Sequence, residues 1–276
     1  MRPSCRPEPV SAAPGGPPGA AGRAHRRAGG RRAARLAAAV FALGGSGVQA
    51  GELTLSSGFE YTSGKYGDRD ASTSWYVPFV ARYEHGLATL KLTVPYLRNT
   101  GAVSRTPDGV AIPGSGGTQE GWGDVVASAG MALLSRGDLS VDGVAKLKLP
   151  TADPDKGLGT GKADWSLQAD AYWRSGALTT LLILGWKKYG DPDGVDFRNP
   201  LFASLGLSWR LSATTSLGVF HDWRERLTQR GAEISEATFY LSWKPAPDWK
   251  LQVYAVRGFS DASPDLGVGT LLSRTF

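Results

Sequence analysis

Cysteine is almost missing from this chain: one residue, Cys5, in 276. With no second cysteine there is no internal disulfide and no dithiol metal or redox site. Histidine is nearly as scarce, at three residues. Beyond residue 50, no apolar run approaches the roughly 20 residues that a spanning helix needs, so any membrane insertion there must be as a barrel. A basic surface is lacking too. The formal net charge is +6, but residues 1–50 hold eight arginines (Arg2, Arg6, Arg23, Arg26, Arg27, Arg31, Arg32, Arg35) and one acid, Glu8. The remaining 23 bases and 24 acids, out of totals of 31 and 25, leave residues 51–276 at a net −1. A nucleic-acid partner, which requires a cationic face for its phosphates, is excluded on that balance.

What is present begins with a leader. Arg31, Arg32 and Arg35 precede the apolar run Leu36–Leu43, and Val48-Gln49-Ala50 matches a small-residue cleavage site. Residues 31–50 therefore read as a secretory signal peptide cut after Ala50. The Pro-, Gly- and Arg-rich stretch 1–30 fits no signal region and reads as a disordered or mis-started extension.

From Gly51 onward the hydrophobic period is two, the signature of strands. Leu53, Leu55, Phe59 and Tyr61 share one face; so do Trp75, Val77, Phe79 and Tyr83, and so do Leu201, Leu205, Leu207 and Trp209. Twelve strands follow, at 52–61, 73–84, 87–97, 122–134, 139–150, 164–174, 177–187, 201–211, 215–225, 234–244, 249–258 and 267–276. At 177–187 both faces are apolar and the register is open. The connections alternate between short and long, with long ones at 62–72, 98–121, 151–163, 188–200, 226–233 and 259–266. An up-and-down outer-membrane barrel has short periplasmic turns and long extracellular loops. The expected fold is thus all-β: a transmembrane antiparallel up-and-down barrel of about twelve strands, in a bacterial outer membrane.

The nine tryptophans support this. All fall near strand ends, and pairs such as Trp165 and Trp173 share a face eight residues apart. At about 3.3 Å per residue and a tilt near 40°, that covers roughly 20 Å of depth, close to the spacing of two aromatic girdles. Tyr61, Trp75, Tyr96, Trp165, Trp186 and Trp223 make the outer girdle. Tyr83, Trp173, Trp209, Trp243, Trp249 and Phe276 make the inner one. A soluble barrel or sandwich shows the same alternation, but bulky charges on the polar face point to a hydrated lumen. By parity that lumen receives Tyr76, Arg82, Lys91, Asp124, Lys146, Lys148, Gln168, Asp170, Tyr172, Arg174, Arg210, Asp222, Arg224, Glu236, Tyr240, Gln252 and Tyr254. The chain also ends on Phe276, on the apolar face, which resembles the terminal signal read by outer-membrane assembly machinery.

Sites of chemistry are few. Gly157–Lys162 has two glycines and a lysine, but Lys156 and Ala163 stand where a phosphate-binding loop needs Gly and Ser or Thr. The Gly114–Gly117 stretch lacks the third glycine of a dinucleotide site. His221 falls on the lipid face without the serine a membrane phospholipase would set beside it. Asp191, Asp193 and Asp196 offer oxygen ligands for Ca²⁺, or for a divalent bridge to lipopolysaccharide, though a solvated Asx- and Pro-driven loop accounts for them better. No enzyme and no cofactor are expected.

Four segments, Gly121–Asp124 (GWGD), Lys148–Asp153 (KLPTAD), Gly157–Trp165 (GLGTGKADW) and Arg257–Asp265 (RGFSDASPD), together with Phe276, carry a family resemblance. The chain resembles the outer-membrane barrels labelled transporters of the MetA-pathway of phenol degradation type, over most of 120–276. Ala152 departs from the glycine often found there. The resemblance implies passage of small, often aromatic or apolar, compounds. All four segments map to the extracellular end, gathering Asp124, Lys148, Asp153, Asp164 and Asp265 at one mouth, where they form a charged entry site or the bonds that fold the loops. The expected function is a passive channel with lipid, lipopolysaccharide, the assembly machinery and a small solute as partners. The alternative is a closed structural or adhesive barrel whose lumen charges pair off.

Overall fold

The computed structural model describes residues 51–106, 110–114, 116–192 and 194–276. The leader read at 31–50 and the extension 1–30 lie outside the described residues, as does Asp193. Fifteen strands follow in order: β1 (Glu52–Gly64), β2 (Ser72–His85), β3 (Ala88–Thr100), β4 (Val103–Arg105), β5 (Ala111–Pro113), β6 (Thr118–Trp122), β7 (Val125–Arg136), β8 (Leu139–Leu149), β9 (Asp164–Ser175), β10 (Leu178–Lys188), β11 (Leu201–Arg210), β12 (Thr215–Arg224), β13 (Ile234–Ala246), β14 (Trp249–Gly258) and β15 (Leu266–Thr275). Each wall strand pairs antiparallel with its neighbours, and β15 closes on β1. β6 and β7 both pair with β3 and form one wall strand interrupted at Gly123–Asp124. The result is a closed barrel of twelve strands. Closure follows from the sequence pattern: a one-sided apolar strand in lipid leaves no tolerable free edge.

The twelve strands read from the sequence are all present, and the tight turns fall where expected. Gly86, Gly137 and Gly176 take φ of 58°, 57° and 60° at the β2–β3, β7–β8 and β9–β10 turns, a left-handed conformation that suits the twist of a hairpin. The stretch 98–121 is more than the long external loop it was expected to be. Its residues Val103–Arg105 and Ala111–Pro113 pair as a short hairpin that packs on β2 and β3, and Thr118–Trp122 extends the wall. Three-residue strands are too short to register as an alternating pattern, so only the fold reveals them.

Outward positions carry the apolar band: Leu92, Leu167, Leu184, Leu205, Phe239 and Val253 are all exposed. Above it, Tyr61 and Trp75 (5.1 Å between rings), Tyr96 and Trp122 (5.5 Å) and Trp165 and Trp186 (5.0 Å) form the outer aromatic girdle. At the other end Tyr83, Trp173, Trp209, Trp243 and Phe276 are exposed. The open register of β10 is settled: Leu182 and Leu184 face outward, while Leu181 and Ile183 are buried within the barrel. An exposed apolar belt between two aromatic girdles belongs in a bilayer, and a closed barrel with this exterior is a protein of the bacterial outer membrane.

Candidate functional site

The candidate site is the lumen, which has three tiers. Towards the extracellular end is a ladder of buried charges on successive strands. Lys148 Nζ on β8 lies 3.0 Å from Asp124 Oδ2 and 3.1 Å from Asp164 Oδ2 on β9; Lys187 Nζ on β10 lies 3.1 Å from the same Asp164 oxygen. Lys148 also donates to Thr160 Oγ1 at 2.8 Å. The Ala152 N–H donates to Asp124 and the Gly190 N–H to Asp164, both at 3.0 Å. Gly159 is needed beneath Asp124, because a Cβ there would lie 2.7 Å from the carboxylate. GWGD, KLPTAD and GLGTGKADW therefore meet at one point, where they bind the 151–163 connection to the wall. Leu158 of that connection packs on Leu97 and Ala152.

The second tier is the β4–β5 hairpin, which reaches across the lumen. Arg105 Nη2 lies 2.6 Å from Glu236 Oε1 on β13, well round the barrel from β3, and both side chains are buried. Asn99 Nδ2 donates to the Arg105 carbonyl at 3.3 Å. Val110 joins Tyr189, Phe197 and Leu227 in an apolar cluster beneath the connections from β10 and β12. Nearby, Arg224 Nη1 donates to the Tyr189 hydroxyl at 3.1 Å, and Asp222 accepts from the Ser204 hydroxyl.

The third tier is an aromatic inner wall. Phe202, Phe220 and Tyr240 cluster with Leu181 and Ile183, and Tyr172 and Tyr254 pack against them. Four of these rings lie directly over a glycine that is their register partner on the next strand: Phe202 over Gly185, Phe220 over Gly206, Tyr240 over Gly218 and Tyr254 over Gly269. In the Phe220, Tyr240 and Phe202 pairings the ring sits where a Cβ of the glycine would be, so the rings lie along the wall instead of projecting from it. Phe220 and Tyr240 stack at 5.5 Å.

Towards the periplasm the lining is mixed. Arg82 pairs with Glu84 at 2.8 Å, while Gln168 donates to Asp170 at 2.6 Å at the level of the aromatic wall, opposite Gly185 and Ile183. Arg174 is half-buried, and Arg210 donates to the Gly176 carbonyl at 3.3 Å from an exposed position at the rim.

Of the residues expected at the extracellular mouth, Asp124, Lys148 and Asp164 converge. Asp153 and Asp265 stay exposed; Asp153 accepts from the Asp155 N–H at 3.0 Å and Asp265 from the Lys65 N–H at 3.2 Å. Asp191 accepts from the Phe197 N–H at 2.9 Å, which is a loop-shaping role. His221 faces lipid beside Phe259. The sequence reading did not single out Arg105, Lys187, Phe202 or Phe220. Glycines on the inward parity of β10, β11, β12 and β15 were the available signal for the aromatic wall.

No known family model matches the chain, and no curated protein matches it in sequence. Among solved structures it is similar to the COG4313 outer membrane channel from Pseudomonas putida F1, at 17% identity over 84% of this chain and 97% of that one, with a TM-score of 0.64. It is also similar to the KdgM porin, at 9% identity over 81% of this chain and 99% of that one, with a TM-score of 0.54. At these identities the likeness is one of fold.

Proposed function

We propose that the chain is a passive outer-membrane channel for small solutes, with aromatic and apolar compounds favoured, as the MetA-pathway-type resemblance implies. The aromatic wall carries this reading. Phe202, Phe220 and Tyr240, laid over glycines, are buried in this wall, while Tyr172 and Tyr254 at its edge are half-buried and keep ring surface for a planar solute. The solute diffuses along that surface, and no side chain bonds to it covalently. The mouth residues Asp124, Lys148 and Asp164 hold the entrance in shape, while Asp170, Arg174, Arg210, Asp222 and Arg224 supply a lining of both signs, which gives little ion selectivity. Two solved structures of similar fold are described as a channel and a porin, which supports the reading.

One observation favours the alternative of a closed structural barrel: the charges of the extracellular tier, and the Arg105–Glu236 pair of the second, are paired and buried. Conductance of the purified protein in a planar lipid bilayer separates the two. Discrete channel openings are expected, and a membrane that stays silent across the voltage range would favour the closed barrel.

A further inference from the structure

The Arg105–Glu236 pair has an unsatisfied half. Arg105 Nη2 lies 2.6 Å from Glu236 Oε1, but Arg105 Nη1 and Glu236 Oε2 are buried with no hydrogen-bond partner among the described residues. A guanidinium free to settle on a carboxylate grips it with two parallel bonds. Here one prong is engaged, although both side chains are almost wholly buried. The tether accounts for this. Arg105 is carried on the β4–β5 hairpin, which is held in turn by Asn99 and by the cluster around Val110, and these anchors fix how far the guanidinium reaches.

A second carboxylate shares the pocket. Glu60 of β1 is buried and lies close enough to Arg105 to act on it electrostatically, as does Tyr66 of the β1–β2 connection. The Tyr66 hydroxyl is also buried without a partner, and the residue takes a left-handed φ of 51°, which a tyrosine holds only where its surroundings enforce it. Tyr254, Gly269, Glu60 and Tyr76 are successive register partners across β14, β15, β1 and β2. Gly269 has no side chain, so the Tyr254 hydroxyl reaches past it and donates to Glu60 Oε2 at 3.0 Å. Tyr254 and Tyr76 thus flank the Glu60 carboxylate, each half-buried with ring surface left. Beside Glu236, its register partner Asp222 is held by Ser204, and Arg224 on the same strand is bonded to Tyr189.

Buried carboxylates beside half-buried tyrosine rings suit an organic cation: the carboxylates pair with its charge and the rings stack on its aromatic part. The pocket also adjoins the aromatic wall, on which Tyr254 packs. We propose that it is a subsite for aromatic solutes carrying an ammonium or amidinium group, that Arg105 is its tethered occupant, and that such a solute binds by displacing Arg105 and frees the β4–β5 hairpin. The proposal rests on the channel reading and gives it a substrate class. The one-pronged fit makes Arg105 displaceable. A free cation settles on Glu236 or Glu60 without a tether, and it supplies a partner to the Glu236 oxygen that now lacks one.

The probe is phenethylammonium, with phenylacetate and 2-phenylethanol as an anion and a neutral compound of the same ring. Binding is read by calorimetric titration of the purified protein in detergent. Hairpin movement is read by maleimide labelling of Ser104→Cys, a buried hairpin position, in a Cys5→Ser background. A site shows an affinity reduced by the fraction of molecules in which it is vacant, so Arg105→Ala should bind phenethylammonium about tenfold more tightly than the wild type. Arg105→Ala/Glu236→Gln, which leaves neither charge of the pair behind, should lose that gain. Phenethylammonium should speed labelling of Ser104→Cys several-fold, and the other two compounds should not. The labelling needs no change at the pocket and stands even if Arg105→Ala fails to fold. Equal affinity in the wild type and Arg105→Ala overturns the proposal, and so does labelling that phenethylammonium leaves unchanged or that phenylacetate speeds as much. Conductance in planar bilayers separates the two readings. A protein that conducts without binding the amine loses the subsite and keeps the channel; one that binds it with these responses in a silent membrane keeps the subsite and loses the channel.

Discussion

Lys148 and Asp164 are direct register partners on adjacent strands, and their charged groups meet at 3.1 Å with both side chains almost fully buried. Lys148 also holds Asp124, and Lys187 lies 3.1 Å from the same Asp164 oxygen, so two ammonium groups neutralise two carboxylates. Replacing Lys148 with Met leaves both carboxylates buried without it. That should destabilise the folded barrel by about 3–5 kcal/mol, read from urea unfolding in lipid vesicles. Adding Asp124→Asn to Lys148→Met leaves Asp164 paired with Lys187 and should recover much of the loss. A double variant no better than Lys148→Met would mean that packing, not charge, sets the cost.

The aromatic wall makes a prediction in the opposite direction. A Cβ at Gly218 would lie 2.5 Å from the Tyr240 ring, and the ring, as the far end of a side chain, yields before the backbone does. Gly218→Val should therefore fold, swing Tyr240 into the lumen and lower single-channel conductance. Adding Tyr240→Ala should restore it. A Gly218→Val channel with unchanged conductance would place the ring outside the ion path.

Arg105 ties the β4–β5 hairpin to Glu236 across the lumen. Arg105→Ala and Glu236→Gln should each loosen the hairpin and raise conductance in planar bilayers. Equal currents in wild type and both variants would show that the hairpin does not obstruct the route.

Facing is open to a direct test. Leu205 is exposed to lipid near mid-strand, so Leu205→Arg should cost roughly 2–4 kcal/mol. Thr89 is half-buried on the inner face opposite Glu84, where an arginine finds a partner, so Thr89→Arg should be much milder. Ser204 and Thr93, inward by parity, are unsuitable controls because both are buried against neighbours. Equal penalties at Leu205 and Thr89 would contradict the assignment of faces.

Phe276 is the proposed assembly signal. Its N–H donates to the Leu53 carbonyl at 2.8 Å, which helps to close β15 on β1, and its exposed ring lies 4.7 Å from the Arg274 guanidinium. Deleting it removes at most about 1.5–3 kcal/mol of apolar burial. Refolding into pure lipid should therefore be near normal, while insertion in cells should fail and leave protease-sensitive periplasmic chain. Normal surface insertion without Phe276 would remove its role as a signal.

The period-two pattern of residues 51–276, the alternating loop lengths and the tryptophans at strand ends determined the barrel, its strand number and its lipid face. These are local properties: a strand places successive side chains on opposite faces wherever it stands, and girdle spacing is a matter of length along one strand. The inward parity of Lys148, Asp222 and Tyr240 was legible for the same reason. What only the tertiary structure decided is which inward residues meet. Arg105 reaches Glu236 because closure of the barrel brings residues 131 positions apart across one lumen. Phe220 lies over Gly206, and Pro78 faces Pro95, because register between neighbouring strands sets those pairs. The hairpin at 103–113 escaped the reading because three-residue strands carry too little alternation to see, and their burial depends on a wall built from the rest of the chain.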